Sequence, residues 1–247
     1  MDASAPRHHG PVAIRLIRPR DARTLQSELL ANRSWLQRWE ATSPDGPVSF
    51  DMRLGIRRLL QQYRDGAGVP FVMEHEGQIA GQLNVWGIAR GSLSSATIGY
   101  WVSERFAGKG ITPTAVALAT DLCFEELRLH RMEICIRPEN RASLRVVEKL
   151  GFRYEGLRRR YIHIDGDWRD TSRSRSSRTR CREAFSGAGS RVPFPPMRRP
   201  SRSPTAAQRG SNLKVEQELQ TRLCLECQRA GCHVRLTPWV GRFSAAA

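Results

Sequence analysis

The chain has 247 residues and a formal net charge of +16, which is divided unevenly along its length. Residues 1–170 carry 25 Lys and Arg against 20 Asp and Glu, whereas residues 171–247 carry 15 against 4. No run of about 18 apolar residues occurs, which argues against a membrane-spanning helix, and the N-terminus has no apolar segment typical of a secretory signal. We therefore expect a cytoplasmic protein with one well-buried domain over residues 1–170 and a basic, Ser/Arg/Pro-rich tail over residues 171–247.

The first part of the chain alternates between strand and helix patterns. Residues 12–18 alternate apolar and basic side chains, which predicts a strand. Two helices are predicted next, one carrying Leu25 to Leu30 and one carrying Met52 to Tyr63. A hairpin is predicted from Phe71 to Val85, and a further strand from Ala96 to Val102.

A glycine-rich loop, Arg105 to Gly110, follows that strand and precedes a helical pattern that begins near Pro113. The backbone N–H groups of such a loop and the positive end of the helix converge on one point, which suits a phosphate or pyrophosphate. Glycine is needed there because a side chain would block the ligand and because a tight turn can require positive φ. The loop predicts a phosphate-bearing cofactor, with an ordinary surface turn as the alternative.

The next segments continue the same alternation. Residues 131–137 predict a strand, and residues 140–150 predict a helix with Asn140 as its N-cap and Gly151 after its C-terminus. A strand over residues 152–164 follows. Strands that first form hairpins and then alternate with helices predict a mixed sheet flanked by helices, an α/β (α+β) architecture.

Two of these segments carry a resemblance to a known family. The loop Arg105-Phe106-Ala107-Gly108-Lys109-Gly110 resembles the acyl-CoA pyrophosphate motif of the GNAT (GCN5-related N-acetyltransferase) family. Asn140-x-x-Ser143, followed by Glu148-Lys149-Leu150-Gly151-Phe152, is similar to the next CoA-contacting segment of that family. Other segments resemble the RimJ/RimL branch, which acts on the N-termini of ribosomal proteins: Asn32 to Glu40, Ile98 to Val102, Tyr154 to Leu157 and Asp167 to Asp170.

The resemblance covers about residues 12–170 and implies a fold, an activity and a cofactor site. The implied fold is a mixed, mostly antiparallel sheet flanked by helices. The implied activity is acetyl transfer from acetyl-CoA, without a metal, to the α-amine of a protein N-terminus. The residues implied to hold acetyl-CoA are Val102, Arg105, Ala107, Gly108, Lys109, Gly110, Ile111, Asn140 and Ser143.

Two residues are candidates for the chemistry. Ser143 is implied as the group that stabilises or protonates the departing thiolate; the alternative is that it is only a small residue in the first turn of a helix. Glu155 could accept the proton of the amine, directly or through water. The alternative for Glu155 is an ordinary ion pair with Arg158, Arg159 or Arg160.

The strand before the loop and the segment Asn32 to Glu40 are expected to contribute to the acceptor site. Around Tyr100 to Val102 a splayed strand would leave an amide free to polarise the thioester carbonyl, and Tyr100 is expected to contact the substrate. Trp35, Trp39 and Glu40 are expected to line the mouth for the acceptor, where an acidic side chain would favour a cationic N-terminus. Aromatic residues four apart on a helix can equally serve packing.

The pattern changes after Asp170. The family has one further strand there, whereas residues 171–178 read Thr-Ser-Arg-Ser-Arg-Ser-Ser-Arg, with no apolar alternation. The sequence thus predicts that the last strand is replaced by a disordered tail, which is either a native basic segment or a frameshifted C-terminus. The loss of a strand would expose an edge of the sheet.

The same sequence leaves other functions open. The runner-up enzyme is an acetyltransferase for a small amine such as an antibiotic or a polyamine. The competing class is a nucleic-acid-binding protein, because a basic tail attracts RNA without sequence preference; such a tail could also steer a transferase to ribosomes. In the tail, Cys224-x-x-Cys227 and Cys232-His233 have metal-like spacing, but no supporting core is evident and no metal is predicted.

Overall fold

The computed structural model describes residues 5–46 and 51–177. The strands in these ranges are β1 (Arg7–His9), β2 (Val12–Leu16), β3 (Gly68–His75), β4 (Gln78–Ala89), β5 (Ser95–Val102), β6 (Arg131–Ile136), β7 (Arg153–Ile164) and β8 (Asp167–Ser177). The helices are α1 (Ala22–Ala31), α2 (Arg33–Leu36), α3 (Met52–Arg64), α4 (Ile111–Glu125) and α5 (Arg141–Lys149). None of the helices in this part of the chain has the length and apolar character needed to cross a membrane.

All of these strands belong to one sheet, in the order β1-β2-β3-β4-β5-β6-β8-β7. Neighbouring strands are antiparallel, with the exception of β5 and β6, which are parallel. This arrangement confirms the predicted mixed, mostly antiparallel sheet flanked by helices. The predicted hairpin is the pair β3 and β4.

The parallel pair holds together over a short stretch. Ser95–Thr97 of β5 pair with Arg131–Glu133 of β6, and beyond them the described residues give β5 no partner on β6. The rest of β6 pairs with β8 on its other side. The two strands therefore part toward their carboxyl ends, and a gap opens beside the end of β5.

The helices divide between the two faces of the sheet. Trp101 of β5 packs in an apolar cluster with residues of α1 and α3, such as Leu25 and Ile56. Because side chains alternate along a strand, Tyr100 points to the opposite face, where Ser143 of α5 approaches it. Helix α4 packs against α5 and therefore shares that face.

The prediction that the last strand is missing is wrong. Strand β8 lies between β6 and β7 and pairs with both, so the predicted domain boundary at residue 170 falls inside a strand. The alternation of Ser with Arg over residues 171–177 is itself a pattern of period two. Small hydroxyl side chains face the core, and Arg173 and Arg175 face acidic residues on the other side. A strand held by two neighbours can form without apolar side chains because its backbone hydrogen bonds do not depend on them.

The rest of the predicted tail, residues 178–247, lies outside the described residues. The Cys224-x-x-Cys227 and Cys232-His233 pattern falls there, as does the proposed attraction for RNA.

Strand β8 leaves polar groups buried in the core, which makes its stability testable. Ser174 is fully buried, lies opposite Ile134 and Tyr154, and its hydroxyl has no hydrogen-bond partner in the described part of the chain. An unsatisfied buried hydroxyl costs about 1 to 3 kcal/mol. We therefore expect Ser174→Val to raise the free energy of unfolding by about 1 to 3 kcal/mol, measured by urea denaturation.

The control is Ser177→Val at the end of the same strand, which changes strand propensity at a less buried position. Ser174→Ala removes the hydroxyl without adding volume and should stabilise in the same direction, although less. A Ser174→Ala variant less stable than the parent chain would show that the hydroxyl is satisfied after all.

Candidate active site

The predicted loop connects β5 to α4 and has the backbone conformation that glycine permits. Gly108 and Gly110 both have φ of +77°, and Gly110 is the N-cap of α4 in the left-handed region. A Cβ built at either position would meet no other atom within 4 Å. Glycine is thus required here by the backbone rather than by crowding, and the space in front of both residues is open to a ligand.

The amides of this loop fall into two groups. The Phe106 and Ala107 N–H groups donate to the Ser103 and Glu104 carbonyls, each at 2.9 Å, within a 3₁₀ turn at Glu104–Phe106. The backbone N–H groups of residues 108–110 have no acceptor among the described residues. The next two N–H groups, at residues 111 and 112, lie in the first turn of α4, where no intrahelical acceptor exists.

The predicted phosphate seat is consequently narrower than the sequence suggests. The Phe106 and Ala107 N–H groups are used within the turn, which leaves the backbone of residues 108–112, at the positive end of α4, as the candidate seat. Lys109 adds positive charge nearby, with its Nζ 5.4 Å from the centre of the Phe106 ring. The Arg105 guanidinium also lies over the Phe106 ring, 4.3 Å from its centre, and it pairs with Glu28.

The end of β5 presents a main-chain amide to the gap between β5 and β6. The Ser103 N–H donates to the Ala80 carbonyl on β4 at 2.9 Å. Main-chain groups alternate in direction along an antiparallel strand, so the Val102 N–H points away from β4 and toward the gap. This geometry agrees with the predicted free amide for a thioester carbonyl.

Asn140 and Ser143 lie on the other side of that gap, at the start of α5. The Asn140 Oδ1 accepts a hydrogen bond from the Ser143 N–H at 3.0 Å and caps the helix. Both side chains are buried, and Ser143 lies against Tyr100 of β5. Burial raises the pKa of Tyr100, while the Ser143 hydroxyl acts in the opposite direction.

Tyr100, which the sequence predicts to contact the substrate, lies beside Ser143. Its side chain is fully buried in the core, on the face covered by α4 and α5. Its phenol group lies beside the Ser143 side chain, which is also fully buried. The pattern of the strand could not show this, because both of its faces are apolar.

Trp39 and Trp35 pack with the same apolar cluster on the opposite face of the sheet. Trp39 is 8% exposed and belongs to the apolar cluster around Trp101, against which Trp35 also packs. The guanidinium groups of Arg38 and Arg137 lie 4.7 and 5.3 Å from the centre of the Trp39 ring. These contacts make Trp39 largely a packing residue that brings the segment after α2 beside the end of β6.

Glu40 is engaged by a neighbouring cation. Its carboxylate pairs with the Arg33 guanidinium, so it offers less negative charge to a cationic acceptor than the sequence suggests. Trp101, which the sequence pattern did not mark as a site residue, has a buried indole N–H with no partner within the described residues. It could not be singled out because an aromatic residue in an apolar strand is ordinary.

Contacts that the sequence pattern did not indicate tie the segment after α2 to the hairpin formed by β7 and β8. The Thr42 N–H donates to the His163 carbonyl at 2.9 Å, and the Thr42 hydroxyl lies 2.8 Å from His163 Nδ1. Ala41 forms an isolated antiparallel bridge with Ile164. The segment after α2 is thereby fixed to the hairpin that contains both β7 and the final strand.

Glu155 lies in a network of charged side chains on β6, β7 and β8. It pairs with Arg131 and Arg175 and lies 3.4 Å from Arg173. The hydrogen bond from Arg131 and, after the opposing effect of burial, the one from Arg175 lower the pKa of Glu155 to about 2. Arg158, one of its predicted partners, pairs with Glu133 instead, at 3.2 Å.

These ion pairs argue against the predicted role of Glu155 as the proton acceptor. A carboxylate held by three guanidinium groups is a weak base, since taking up a proton would leave those cations without a counter-charge. The alternative interpretation, a structural ion pair, fits the geometry with a different set of arginines.

The variant Glu155→Gln separates these two roles. We expect its kcat/KM at pH 7 to 8 to change less than about tenfold, whereas loss of a general base costs about 10²- to 10⁴-fold. We also expect a lower free energy of unfolding than the parent chain at neutral pH. Because the folded pKa of Glu155 is depressed from 4.5 to about 2, this difference should be full above pH 4.5 and shrink as the pH falls toward 2.

Urea denaturation at several pH values, beside steady-state kinetics, measures both effects. Glu139→Gln is the control, because Glu139 forms an exposed pair with Arg137 and should change stability little. A large loss of kcat/KM with unchanged stability would restore the catalytic assignment.

Comparisons with known proteins show what the chain is similar to. The chain is 29% identical over 164 residues to the [ribosomal protein uS5]-alanine N-acetyltransferase of Escherichia coli, covering 64% of this chain and 84% of that protein. It is 43% identical over 93 residues to "Probable N-acetyltransferase YjcK" of Bacillus subtilis, covering 38% of this chain but only about half, 51%, of that relative. The structure of Mycobacterium smegmatis RimJ in complex with CoA-disulfide matches with a TM-score of 0.64 at 34% identity, covering 72% of this chain and 90% of that one.

The family model supplies the most direct identification. The model of the acetyltransferase (GNAT) domain matches residues 12–153, which is more than half of the chain. This range contains the candidate phosphate seat at residues 108–112, the gap between β5 and β6, and the start of α5 with Asn140 and Ser143. The chain therefore belongs to the GNAT family and is an N-acetyltransferase.

Proposed function

We propose that this chain transfers the acetyl group of acetyl-CoA to the α-amine of a protein N-terminus, with ribosomal proteins as the substrate class. The observation that carries the proposal is the set of open backbone amides at residues 108–112, beside the gap where β5 and β6 part. The relatives named for acetylation of ribosomal protein uS5 support the choice of acceptor.

The residues present fit acetyl-CoA. Gly108 and Gly110 have no Cβ, so a pyrophosphate can approach the free amides of residues 108–112 closely. Lys109 contributes charge beside them. Asn140 and Ser143 stand across the gap, where they would contact the pantetheine arm and the sulfur. The thioester supplies an activated acetyl group.

The reaction has three requirements, which concern the carbonyl oxygen, the leaving sulfur and the attacking amine. The Val102 N–H points into the gap and would stabilise the negative charge that develops on the carbonyl oxygen. Ser143 would donate its hydroxyl hydrogen to the sulfur as the carbon–sulfur bond breaks and the nitrogen–carbon bond forms, and it would take a proton back from water. The amine must be neutral to attack, and its surplus proton leaves through water to solvent.

The requirement for a neutral amine favours an α-amine as the acceptor. An α-amine has a pKa of about 7.7 to 8.0, against about 10.4 for lysine, so a useful fraction is neutral near pH 7. Such an acceptor needs little help from a base. This suits a site whose predicted base, Glu155, is held in ion pairs.

The acceptor would enter on the face of the sheet that carries Trp35 and Trp39. The segment after α2 is fixed there to the β7–β8 hairpin, which gives the mouth a rigid wall. The extended N-terminus of a protein substrate can lie along this wall, where its backbone amides would face polar groups at the edge of the mouth.

A panel of acceptors tests the proposal with the full-length chain. It contains a peptide that copies the N-terminus of ribosomal protein uS5, the same peptide with a blocked α-amine and an internal lysine, and spermidine. We expect acetylation of the free α-amine only, detected by mass spectrometry of the product. Faster acetylation of spermidine than of any peptide would overturn the choice of acceptor, and absence of CoA binding in calorimetry would overturn the proposal as a whole.

A further inference from the structure

The turn that precedes the phosphate seat is held by helix α1. Ser103, which is fully buried, donates its hydroxyl to Glu28 Oε2 at 2.6 Å. The Arg105 guanidinium donates to the other carboxylate oxygen, Glu28 Oε1, at 2.5 Å. One carboxylate of α1 thus binds both ends of the short segment between β5 and the glycine loop.

Asn32, one turn further along the chain, completes this contact. Its Oδ1 accepts the Glu104 N–H at 2.8 Å and so caps the 3₁₀ turn at Glu104–Phe106. Its Nδ2 donates to the Glu28 carbonyl at 2.8 Å, which closes the C-terminal end of α1. Its own carbonyl accepts the Leu36 N–H at 2.9 Å and begins α2. Asn32 is 8% exposed, so water competes little for these bonds.

These contacts fix the direction of the amides that follow. The 3₁₀ turn uses the Phe106 and Ala107 N–H groups internally, and the chain then passes directly into the left-handed Gly108. A shift of the turn would therefore rotate the free amides of residues 108–110. Neither Glu28 nor Asn32 belongs to the glycine motif, and the sequence predicted no contact between either residue and the loop.

We propose that Glu28 and Asn32 are positioning residues for the pyrophosphate loop and that the Arg105 guanidinium is committed to Glu28 rather than to the phosphates of the donor. The carboxylate orients Ser103 and Arg105, and the carboxamide orients Glu104. This proposal rests on the binding of acetyl-CoA at residues 108–112. The Arg105 side chain then serves the loop from outside the seat.

The variant Glu28→Gln gives opposite results under the two roles of Arg105. If Arg105 bound the pyrophosphate, removal of the nearby negative charge would free the guanidinium and strengthen the binding of CoA. If Glu28 positions the loop, the same substitution loosens the turn and weakens binding. We expect the Kd for CoA, measured by calorimetry on the full-length chain, to rise about tenfold, with a similar rise for Asn32→Ala.

The matched control is Asp51→Ala. Asp51 caps α3 by accepting the Arg53 and Leu54 N–H groups at 2.9 and 3.1 Å, so its loss removes a cap of the same kind far from the loop along the chain. We expect it to lower the melting temperature about as much as Asn32→Ala does, without a change in the Kd for CoA. In kinetics, Glu28→Gln and Asn32→Ala should raise the KM for acetyl-CoA and leave kcat within about threefold.

The outcomes are distinct. A parent chain that does not bind CoA contradicts the proposed function. A parent chain that binds, together with a Glu28→Gln variant that binds equally or more tightly, contradicts only the positioning role. If the Kd for CoA rises as much in Asp51→Ala as in Asn32→Ala, the weaker binding of CoA is a consequence of general loss of stability. That result would also contradict the positioning role.

Discussion

Replacement of Gly110 by valine is expected to weaken the binding of CoA about a hundredfold. Gly110 has φ of +77° as the N-cap of α4, and a residue with a Cβ costs about 1 to 2 kcal/mol in that left-handed region, more when it is β-branched. The backbone would relieve this strain by turning, and the free amides of residues 108–110 would lose their common direction. Hydrogen bonds to a charged group contribute about 1.5 to 3 kcal/mol each, so the loss of one or two accounts for the expected factor.

The matched control is Gly91→Val. Gly91 has φ of +70° and, like Gly110, has no atom within 4 Å of a built Cβ, but it lies in the turn between β4 and β5. Both variants should therefore suffer similar backbone strain, seen as similar losses of melting temperature. Calorimetric titration with CoA should separate them. If the Gly110→Val variant binds CoA as tightly as the parent chain, the loop is not part of the donor site.

The second large effect is expected from Ser143→Ala, which should lower kcat about a hundredfold. Proton donation by a positioned group contributes about 10²- to 10⁴-fold, and a departing thiolate needs less help than a poorer leaving group would. The hydroxyl is fully buried beside Tyr100, where bulk water has little access to replace it. The Kd for CoA should change little, because the amides at residues 108–112 are untouched.

Steady-state kinetics at saturating acetyl-CoA measures this effect. Thr120→Ala is the control, since Thr120 is another buried helical hydroxyl, which donates to the Val116 carbonyl at 2.7 Å. It should lose comparable stability and keep its kcat. If Ser143→Ala retains the kcat of the parent chain, Ser143 is only a small residue in the first turn of α5, which is the alternative stated for it from the sequence.

The fold was predictable because most of its signals are local. The period-two pattern of β2, the glycines at 108 and 110 and the Asn140 cap each act through residues close in sequence. Strand β8 is the exception. Its Ser and Arg residues contain no apolar signal, and it forms because β6 and β7 offer backbone partners on both sides.

The roles of charged side chains were least predictable. Glu155 and Arg105 both lie in segments that match the family, and both are engaged by partners that are far away in the sequence. Glu155 meets arginines of β6 and β8, and Arg105 meets Glu28 of α1. An ion pair depends on which elements the fold brings together, so local spacing cannot assign it.

The amino-acid sequence by itself determined the glycine loop, its place between a strand and a helix, and membership of an acetyltransferase family. These follow from backbone conformation, which a few neighbouring residues dictate. Only the tertiary structure decided which amides stay free for the donor, which carboxylates are already paired, and that a Ser/Arg segment completes the sheet. Those properties depend on contacts between residues distant along the chain, because hydrogen bonds and charges are satisfied by whichever groups folding places beside them.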